Sequence, residues 1–540
     1  MTEKEVITLD SDSDEDEDLR RAIQLSLQDQ IQMNDAAADA SSDAGTSAPA
    51  NHATFASIIL NRKEMEESRL NRLGKRRRNS IEGSTQEPDM KRLTSQRSER
   101  AESSQPRYLQ GTVRRTWTRG YPKTSDDITV EEILQKDDLQ LALLSSFQWD
   151  EEWLLSKLNA SKTRILLLAF AASEEQKQLM RGNVPKNIRF CFPPMNGPGS
   201  MHSKLQFLKF PKYLRLVIPS GNLVPYDWGE TGVMENMVFL IDLPRLEASG
   251  NRTMTVFGEN VARFLKASGV DEAMVESLTN YDFSATANLG FVYSIPGGHM
   301  GEALRQVGYC GLGATVRGLG LATDTPIEVD LACASLGSIN YDLINAVYNA
   351  CQGDDGMQEY NARVGRKLKD KGTRPTGRLR DQFRIYFPTD RTVSESKGGR
   401  QSAGTICVQA KWWRAPSFPK ELVRDCVNNR DGLLMHSKII LVRRPAAAEL
   451  IGQTPAMGWA YIGSANLSES AWGRVVKDRG TGSAKMSCRN WECGVVVPVQ
   501  GNPGNGCDIT IFSGVVPVPM MVPGRPYKDS DEPWFFLGGQ

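Results

Sequence analysis

The sequence lacks three features that assign many chains to a class at once: a long apolar run, an excess of charge and a cysteine framework. No apolar run reaches the roughly 18 residues that span a membrane, so we expect no membrane segment. The acidic N-terminus also has no apolar core of a secretory signal. The 65 basic and 65 acidic side chains cancel. An anionic ligand must therefore be bound in a local basic groove, because the chain as a whole has no attractive field for it.

The nine cysteines, from Cys191 to Cys507, have neither the Cys-x-x-Cys spacing of zinc sites nor the regular spacing of a disulfide scaffold. We interpret them as buried thiols of a reducing compartment. The acidic clusters lie in the N-terminal part of the chain, away from the candidate catalytic residues described below. The sequence therefore predicts no metal site and no cofactor.

Residues 1–128 differ in composition from the rest of the chain. They are rich in Asp, Glu, Ser, Ala, Gln and Arg and poor in aromatic residues, so they cannot bury enough apolar surface to offset the entropy of ordering. The sequence predicts a disordered regulatory tail over 1–128. Two globular lobes, over 129–300 and 301–540, are expected to follow it.

The first motif in this tail covers residues 6–15. An apolar, β-prone stretch with Val6, Ile7 and Leu9 precedes an acidic run, and such a stretch can add a strand to the sheet of a partner. The pattern resembles a SUMO-interacting motif. A chance apolar patch beside acidic residues is the alternative.

The second motif covers residues 16–30. Leu19, Ala22 and Ser26 share one face of a predicted helix, and the acidic residues before them suit a helix N-terminus. The small Ala22 and Ser26 permit close approach of a partner. The pattern is similar to a ubiquitin-interacting motif, with an ordinary amphipathic helix as the alternative.

The third motif covers residues 75–92, where Lys75–Arg78 and Lys91–Arg92 form two basic clusters. Such clusters are typical of a nuclear import signal or a nucleic-acid contact. We therefore expect the protein in the nucleus. A solvated run of charge is the alternative.

Beyond residue 128, strand patterns alternate with helical ones, which favours an α/β architecture in two copies. Residues 130–158 show helical periodicity, and 352–380 and 390–405 are interpreted as polar insertions. The predicted strands are 165–170, 188–192, 204–210, 214–218, 238–243, 291–295, 327–331, 383–387, 438–442, 459–462 and 494–497. The further predicted helices are 174–180, 260–266, 300–307 and 341–350.

One tetrapeptide occurs twice in this part of the chain. Met201–Lys204 and Met435–Lys438 are both Met-His-Ser-Lys, and they contain two of the only four histidines. Each copy is followed by a Ser-x-Asn-Leu block, which holds Asn222 or Asn466, and by a tryptophan six residues after the asparagine. A chance arrangement of four histidines rarely gives such a match. We interpret the repeat as a duplicated half-site that acts only as a pair.

The chemistry of the repeat suits a phosphate ester. In a strand, residues two apart point to one face, so His202 and Lys204 are expected to project together, as are His436 and Lys438. A lysine beside an imidazole lowers the imidazole pKa, which favours a neutral, nucleophilic histidine. Two such units can place one histidine for attack and the other for proton transfer, with lysine and asparagine donors on the phosphoryl oxygens.

Each half also has a glutamate after its asparagine, Glu235 in the first and Glu492 in the second. A carboxylate that accepts a hydrogen bond from an imidazole fixes its tautomer and orientation. Glu492 is the stronger candidate because an apolar strand follows it directly. Glu235 is interpreted either in the same way or as a surface residue.

The paired His-x-Lys and Asn-Leu-x4-Trp blocks resemble the tyrosyl-DNA phosphodiesterase branch of the phospholipase D superfamily, over about residues 130–540. The resemblance implies two α/β/α sandwich lobes related by a pseudo-twofold axis, and a monomer. Lys209 and Arg443 stand where the wider superfamily has aspartates. The segment 196–200 lacks the aromatic residue that stacks a base in better-known members.

The resemblance also implies a reaction: metal-independent hydrolysis of the 3′-phosphotyrosyl bond between single- or double-stranded DNA and a topoisomerase I-derived peptide. It implies that His202 is the nucleophile and His436 the general acid and base. Glu492 would orient a histidine, and Ser468 would contact DNA phosphate. Lys204, Lys438, Asn222 and Asn466 would bind the phosphoryl oxygens. The alternatives are another nuclease or phosphatidyl transferase of the superfamily, or a ubiquitin or SUMO reader with inactive lobes.

Overall fold

In a computed structural model the chain is described over residues 105–182, 184–247, 253–365, 378–444, 456–500 and 508–535. These residues form two large mixed β-sheets and three small ones. The motifs at 6–15, 16–30 and 75–92 lie outside the described residues. None of the described helices is long and apolar enough to cross a membrane.

The first large sheet has eight strands in the order β2-β1-β9-β7-β6-β3-β4-β5. Strands β3, β4 and β5 are parallel and need crossover connections, which two helices supply. The strands are β1 Thr112–Thr116, β2 Asp127–Ile128, β3 Leu141–Ser145, β4 Arg164–Leu168, β5 Ile188–Cys191, β6 Gln206–Lys209, β7 Tyr213–Pro219, β8 Met234–Glu235 (in a small sheet) and β9 Met237–Pro244.

The second large sheet has seven strands in the order β10-β22-β19-β18-β12-β14-β16. Its strands and those of the small sheets are β10 Gly290–Ser294, β11 Gly297–Met300, β12 Glu328–Ala332, β13 Ser335–Leu336, β14 Phe383–Phe387, β15 Cys407–Val408, β16 Val423–Asp425, β17 Leu434–Met435, β18 Ile439–Arg443, β19 Ala456–Gly463, β20 Arg474–Lys477, β21 Ala484–Cys488 and β22 Glu492–Gln500. Chain order and pairing repeat those of β1-β9-β7-β6-β3-β4-β5. The two lobes are thus related by the predicted pseudo-twofold.

Twelve α-helices surround these sheets over the described ranges. Thr129 begins the first with a reciprocal capping box to Glu132, a pairing that satisfies two free backbone N–H groups. The helices are α1 Val130–Leu134, α2 Glu151–Lys157, α3 Glu174–Gly182, α4 Val256–Ala267, α5 Glu272–Glu276, α6 Gly308–Gly318, α7 Tyr341–Cys351, α8 Met357–Gly365, α9 Arg378–Gln382, α10 Asp390–Ser394, α11 Ala410–Trp413 and α12 Glu469–Trp472.

One apolar core joins the two lobes. It includes Leu216 and Ile241 of the first sheet together with Ala460 and Val495 of the second, and strands β19 and β22 lie against β7 and β9. A smaller core on the outer face of the first sheet lies beneath α1 and α2. Because burial of apolar side chains is the main stabilising term, the lobes are fixed to each other by the same core that folds them.

The predicted limits of the tail and lobes are wrong in two places. Strand β1 lies within the predicted tail, yet its Val113 is buried and pairs with Phe239 of β9. The predicted lobe boundary at 300 falls after β10, which pairs with β22 near the other end of the chain. Both pairings join residues far apart in sequence, so local composition does not indicate them.

Local predictions hold for most strands but fail at three segments. The helical pattern predicted over 130–158 contains β3, because Leu141–Ser145 lies between β4 and β6 and is buried on both faces. The helix predicted over 300–307 is a 3-10 helix at Gly301–Gln306, preceded by β11. The predicted polar insertions contain helices α8 and α10. Tertiary pairing overrides local propensity at β3.

Candidate active site

The two copies of the tetrapeptide meet at the seam between the lobes. The His202 backbone N–H donates to Trp491 O at 3.1 Å, and the His436 N–H donates to Glu235 O at 3.1 Å. Each histidine thus bonds to the backbone of the other lobe. The His-Ser-Lys part of each motif is an extended segment just before β6 or β18, and Met435 ends β17. The strands that we predicted begin at Lys204 and Lys438, one or two residues before the observed ones. The repeat therefore forms one site at the pseudo-twofold axis.

Both lysines are buried and bonded to their own motif. Lys204 Nζ donates to His202 O at 2.9 Å, and Lys438 Nζ donates to His436 O at 2.6 Å and to Ser220 O at 3.2 Å. Burial lowers the pKa of Lys204 to about 8 and also lowers that of Lys438. An anion in the site would restore these ammonium charges. Both ammonium groups therefore lie inside the protein, in contact with the backbone of the two histidines.

Each histidine is held by a carboxylate from the opposite lobe. His202 Nδ1 lies 2.9 Å from Glu492 Oε2, and His436 Nδ1 lies 3.0 and 3.1 Å from the two oxygens of Asp227. An ionised carboxylate only accepts hydrogen bonds, so Nδ1 is the protonated nitrogen of each ring. Nε2 is then the nitrogen that remains for a substrate.

The prediction for Glu235 is wrong on both alternatives. Its side chain is fully buried, forms an ion pair with Arg430 and accepts from Asn428 Nδ2 at 2.7 Å, and it does not bond to an imidazole. The residue related to Glu492 by the pseudo-twofold is its neighbour Asn236. The equivalent serines show this relation. Ser220 Oγ donates to Asn236 Oδ1 at 2.9 Å, and Ser464 Oγ donates to Glu492 Oε2 at 2.5 Å.

Asp227 is the carboxylate that sequence reasoning missed. Asn236 Nδ2 donates to its Oδ1 at 3.1 Å and to its backbone oxygen at 2.9 Å. The signal lies in the differences between the two copies. Asp227 corresponds to Ala471, and Gly221 corresponds to Ala465. A Cβ on Gly221 would lie 3.1 Å from Asp227 Cβ and 2.8 Å from Asn236 Nδ2, so the glycine makes room for the carboxylate.

The two asparagines line the same cleft in fixed orientations. Asn466 Oδ1 accepts from the backbone N–H groups of Ala334 at 3.2 Å and Ser335 at 3.1 Å. Asn222 Oδ1 accepts from Gln148 N at 3.3 Å, and its Nδ2 donates to Gln148 Oε1 at 3.3 Å. Because backbone N–H groups donate to the oxygen of each amide, the other terminal atom of each amide is the NH2 nitrogen. Asn466 is therefore oriented to donate to an anion.

The cleft is lined by both histidines, both asparagines and Glu492. Ser468 lies in its wall and begins α12, its Oγ accepting from Ala471 N at 3.2 Å. The Phe147 ring centroid lies 5.2 Å from that of His202. Sequence reasoning did not single out several other lining residues, which are Phe147, Gln148, Ser200, Ser335, Gly337, Gly404, Thr405, Cys407, Ser470 and Asn490.

Burial governs the charge state of the histidines. It lowers the pKa of His436 to about 4, against the opposite effect of Asp227, and it lowers the pKa of His202 in the same way. The nearby lysines add to both shifts. Burial alone would raise the pKa values of Glu492 and Asp227, but the adjoining cationic and hydrogen-bonding groups lower them. These shifts favour neutral imidazoles beside ionised carboxylates.

A bound anion is expected to reverse the shift at the histidines. Negative charge favours the imidazolium, so binding takes up a proton between the pKa of the empty site and the higher pKa of the occupied one. Sulfate, whose own charge is constant over pH 5.5–8, should therefore bind more tightly as the pH falls, by up to about tenfold per unit. Calorimetric titration measures this. His436→Asn should flatten the dependence, and equal slopes in both proteins would contradict it.

Among the described residues, no group of three or more His, Cys, Asp or Glu side chains is arranged to hold a metal ion. The eight described cysteines are unpaired. Burial raises the thiol pKa of all eight, and it raises that of Cys407 in the cleft to about 12. A protonated thiol is a poor nucleophile. The thiol of Cys407 is therefore a weaker candidate nucleophile than the two imidazoles.

Two lobes with one strand order, which share a paired His-Lys-Asn site at their junction, define a phosphodiesterase of the phospholipase D fold. The chain belongs to the tyrosyl-DNA phosphodiesterase family, whose model matches residues 112–528. A ubiquitin interaction motif matches residues 14–30.

Curated relatives support the family. Tyrosyl-DNA phosphodiesterase 1 of Drosophila melanogaster is 24% identical over 433 residues, which are 75% of this chain and 70% of the relative. The Arabidopsis thaliana protein of the same name is 21% identical over 465 residues, 75% and 71% of the two chains. A crystal structure of the yeast tyrosyl-DNA phosphodiesterase matches with a TM-score of 0.55 and 18% identity, over 79% of this chain and 100% of that chain. The structural match establishes the fold.

Proposed function

We propose that the chain cleaves the 3′-phosphotyrosyl bond between DNA and a topoisomerase I-derived peptide through a covalent phosphohistidine on His202. The observation that carries this proposal is the crossed pair of His–carboxylate contacts, which directs two Nε2 atoms at one cleft with two buried lysines. A single phosphorus atom between the rings can then be attacked by one imidazole while the other protonates the leaving oxygen.

The first step forms a bond between His202 Nε2 and phosphorus and breaks the bond from phosphorus to the tyrosine oxygen. His436, as the imidazolium, gives its Nε2 proton to that oxygen, and free tyrosine or peptide leaves. Lys204, Lys438 and the amide of Asn466 would bind the non-bridging oxygens, whose charge grows in the transition state. The bound phosphate also raises the His436 pKa and so supplies the proton.

The second step reverses the role of His436. Its neutral Nε2 takes a proton from water, the water oxygen attacks phosphorus, and the bond from phosphorus to His202 breaks. DNA with a 3′-phosphate is released and both histidines return to their starting states. The assignment of attack to His202 follows the family resemblance. It is supported by side-chain exposure, which is 13% for His202 and 6% for His436.

Release of tyrosine from a 3′-phosphotyrosyl oligonucleotide, with a chelator present, tests this function. The wild-type chain should cleave single- and double-stranded substrates and leave a 3′-phosphate end. Failure to release tyrosine from either substrate would contradict the proposal. A product with a 3′-hydroxyl would contradict the mechanism, because the phosphorus would then have stayed with tyrosine.

Asp227 is proposed as the positioning residue for His436. Asp227→Asn should lower kcat by about 10² to 10⁴-fold, because the neutral amide no longer stabilises the imidazolium and no longer enforces one tautomer. The alkaline limb of the pH profile, along which His436 loses the proton that it must donate, should shift to lower pH. Glu235→Gln is the matched control, since that buried carboxylate contacts Arg430 and no imidazole. It should reduce thermal stability but leave the pH profile unchanged, and equal profiles for the two variants would exclude the role.

The tail is proposed to recruit the enzyme. Ubiquitin would contact Leu19, Ala22 and Ser26, and the stretch with Val6, Ile7 and Leu9 would add a strand to the sheet of SUMO. The basic clusters in 75–92 would direct the chain to the nucleus. The chain would act as a monomer. Ala22→Glu should weaken ubiquitin binding at least about tenfold, because a charged side chain cannot be buried at the contact. NMR titration of labelled ubiquitin measures this, with Gln28→Glu as control. Tyrosine release should be unchanged in both variants.

A further inference from the structure

A row of aromatic residues follows the strand ends of the first sheet at the edge where His202 lies. Strands β3, β4 and β5 are parallel, and Ser145, Leu168 and Cys191 are in register across them. Phe147, Phe170 and Phe192 follow these positions by two, two and one residues. The Ser145 hydroxyl bonds to Ser203 of the catalytic motif at 3.1 Å, so this edge leads directly away from the cleft.

The outer two aromatics are accessible and accompanied by cations. Phe170 is 50% exposed, and Phe192 is half-buried and stacks on Phe190 at 5.7 Å and 12°. Arg181 Cζ, on helix α3, lies 5.0 Å from the centroid of the Phe192 ring, and Lys177 Nζ lies 5.8 Å from it. Lys177 is paired with Glu174 at 2.6 Å. Arg181 lies at the surface, where its charge can meet a ligand.

The second lobe does not repeat this row. The pseudo-twofold relates Phe147, Phe170 and Phe192 to Ala334, Pro388 and Asp425, because Ala332, Tyr386 and Arg424 are in register in the second sheet. The related edge thus carries a small residue, a proline and a carboxylate. Asp425 is buried and forms an ion pair with Arg525 at 3.1 Å. The aromatic row thus distinguishes the edge of the first sheet from the related edge of the second.

We propose that Phe170, Phe192 and Arg181 form a track for single-stranded DNA on the 5′ side of the scissile phosphate. This inference rests on the proposed function and adds the path of the substrate strand. Aromatic rings bind bases of any sequence by stacking, and an arginine on such a ring adds charge for the backbone. The cleft itself is lined mainly by Ser, Gly and Asn residues, and Phe147 is the phenylalanine among its lining residues. Further aromatic side chains for stacking lie along the sheet edge outside the cleft.

The dimensions agree with a short stretch of one strand. Neighbouring strands of a sheet lie about 4.8 Å apart, so the end of β5 is roughly 10 Å from the end of β3. A DNA strand advances about 3.4 Å per nucleotide when its bases are stacked, and roughly 10 Å corresponds to about three nucleotides. A substrate of two nucleotides would fill the cleft without reaching Phe192, whereas one of twelve would cover the whole track.

The test compares 3′-phosphotyrosyl oligonucleotides of two and twelve nucleotides that carry the same single tyrosine. Phe170→Ala and Arg181→Gln should each raise KM for the longer substrate about 5- to 10-fold and leave kcat within a factor of two. Arg181→Gln should not change kcat/KM for the shorter one, and Phe170→Ala should change it less than for the longer one. Leu179→Ala is the matched control, because Leu179 is 53% exposed on the same helix but lies two residues from Lys177 and Arg181, on another face.

A binding measurement separates this proposal from the proposed function. Anisotropy of a fluorescent twelve-nucleotide 3′-phosphate with the His202→Ala protein needs no catalysis, and both track variants should weaken it by the same factors in that background. Equal effects on short and long substrates, or no effect on either, would assign the surface to another role such as a protein contact and overturn the track. If the wild-type chain binds through the track but releases no tyrosine, only the proposed function fails.

Discussion

His202→Ala should abolish release of tyrosine from a 3′-phosphotyrosyl oligonucleotide, with a loss of at least about 10⁴-fold, the scale seen when a hydrolytic site loses its nucleophile. The variant retains both lysines, both asparagines and His436, so it should still bind the substrate. What it loses is the nitrogen that Glu492 directs at phosphorus through the 2.9 Å contact to Nδ1. Burst and steady-state assays of labelled tyrosine release measure the loss.

His299→Ala is the matched control for that experiment. His299 also lies in the described structure, with Nε2 2.8 Å from Ile295 O, but it does not line the cleft. Its replacement should leave turnover within about twofold, as for most surface substitutions. Thermal unfolding of both variants should resemble that of the wild type. A His202→Ala protein that keeps more than a tenth of wild-type turnover would refute the assignment of the nucleophile.

The sequence predicts this site well where one copy of the repeat corroborates the other. His202 and His436, their lysines and their asparagines are matched in identity and spacing. The structure brings both histidines and both asparagines to one cleft, and each lysine is buried and bonded to the carbonyl of its own histidine. Asp227 has no counterpart in the second copy, because Ala471 stands there. A search for what the copies share therefore misses a residue that only one of them needs. Comparing where they differ would have found it.

The error at Glu235 has a related physical cause. Glu235 and Glu492 look equivalent because each follows the asparagine of its own half, Asn222 or Asn466, but the strand pairing offsets them by one residue. A shift of one position in a strand turns a side chain to the opposite face. Glu235 is thereby directed at Arg430, and Asn236 takes the place of Glu492. Register is set by long-range pairing, and the local sequence does not specify it.

The crossed contacts explain why the two lobes act as one unit. The imidazole of each lobe is oriented by a carboxylate of the other, and the backbone N–H of each histidine bonds across the same seam. Neither lobe alone therefore contains a histidine together with the carboxylate that orients it. The two motifs are identical, but the groups that contact their histidines differ. His202 contacts Glu492, which is bonded to Ser464, and His436 contacts Asp227, which is bonded to Asn236. This difference allows identical motifs to have unequal roles.

His436→Asn should accumulate a covalent protein–DNA species. Tyrosine is a good leaving group because its phenol has a pKa of about 10, so attack by His202 can proceed slowly without a proton donor. Hydrolysis of the phosphohistidine needs a base for water, and an asparagine amide cannot accept that proton. In a two-step hydrolysis through a covalent intermediate, the loss of this base slows the second step more than the first, so the intermediate accumulates.

A 5′-labelled oligonucleotide and a denaturing gel measure the trapped species as a band at the mass of protein plus DNA. The double variant His202→Ala, His436→Asn is the decisive control. It lacks the base, as the single variant does, and it also lacks the nitrogen that would form the bond. A band in the single variant and none in the double variant identifies His202 as the attached residue. A band in both would place the bond elsewhere. A band in His436→Asn that disappears with His202 thus decides which of two identical motifs attacks, a question that their sequences alone leave open.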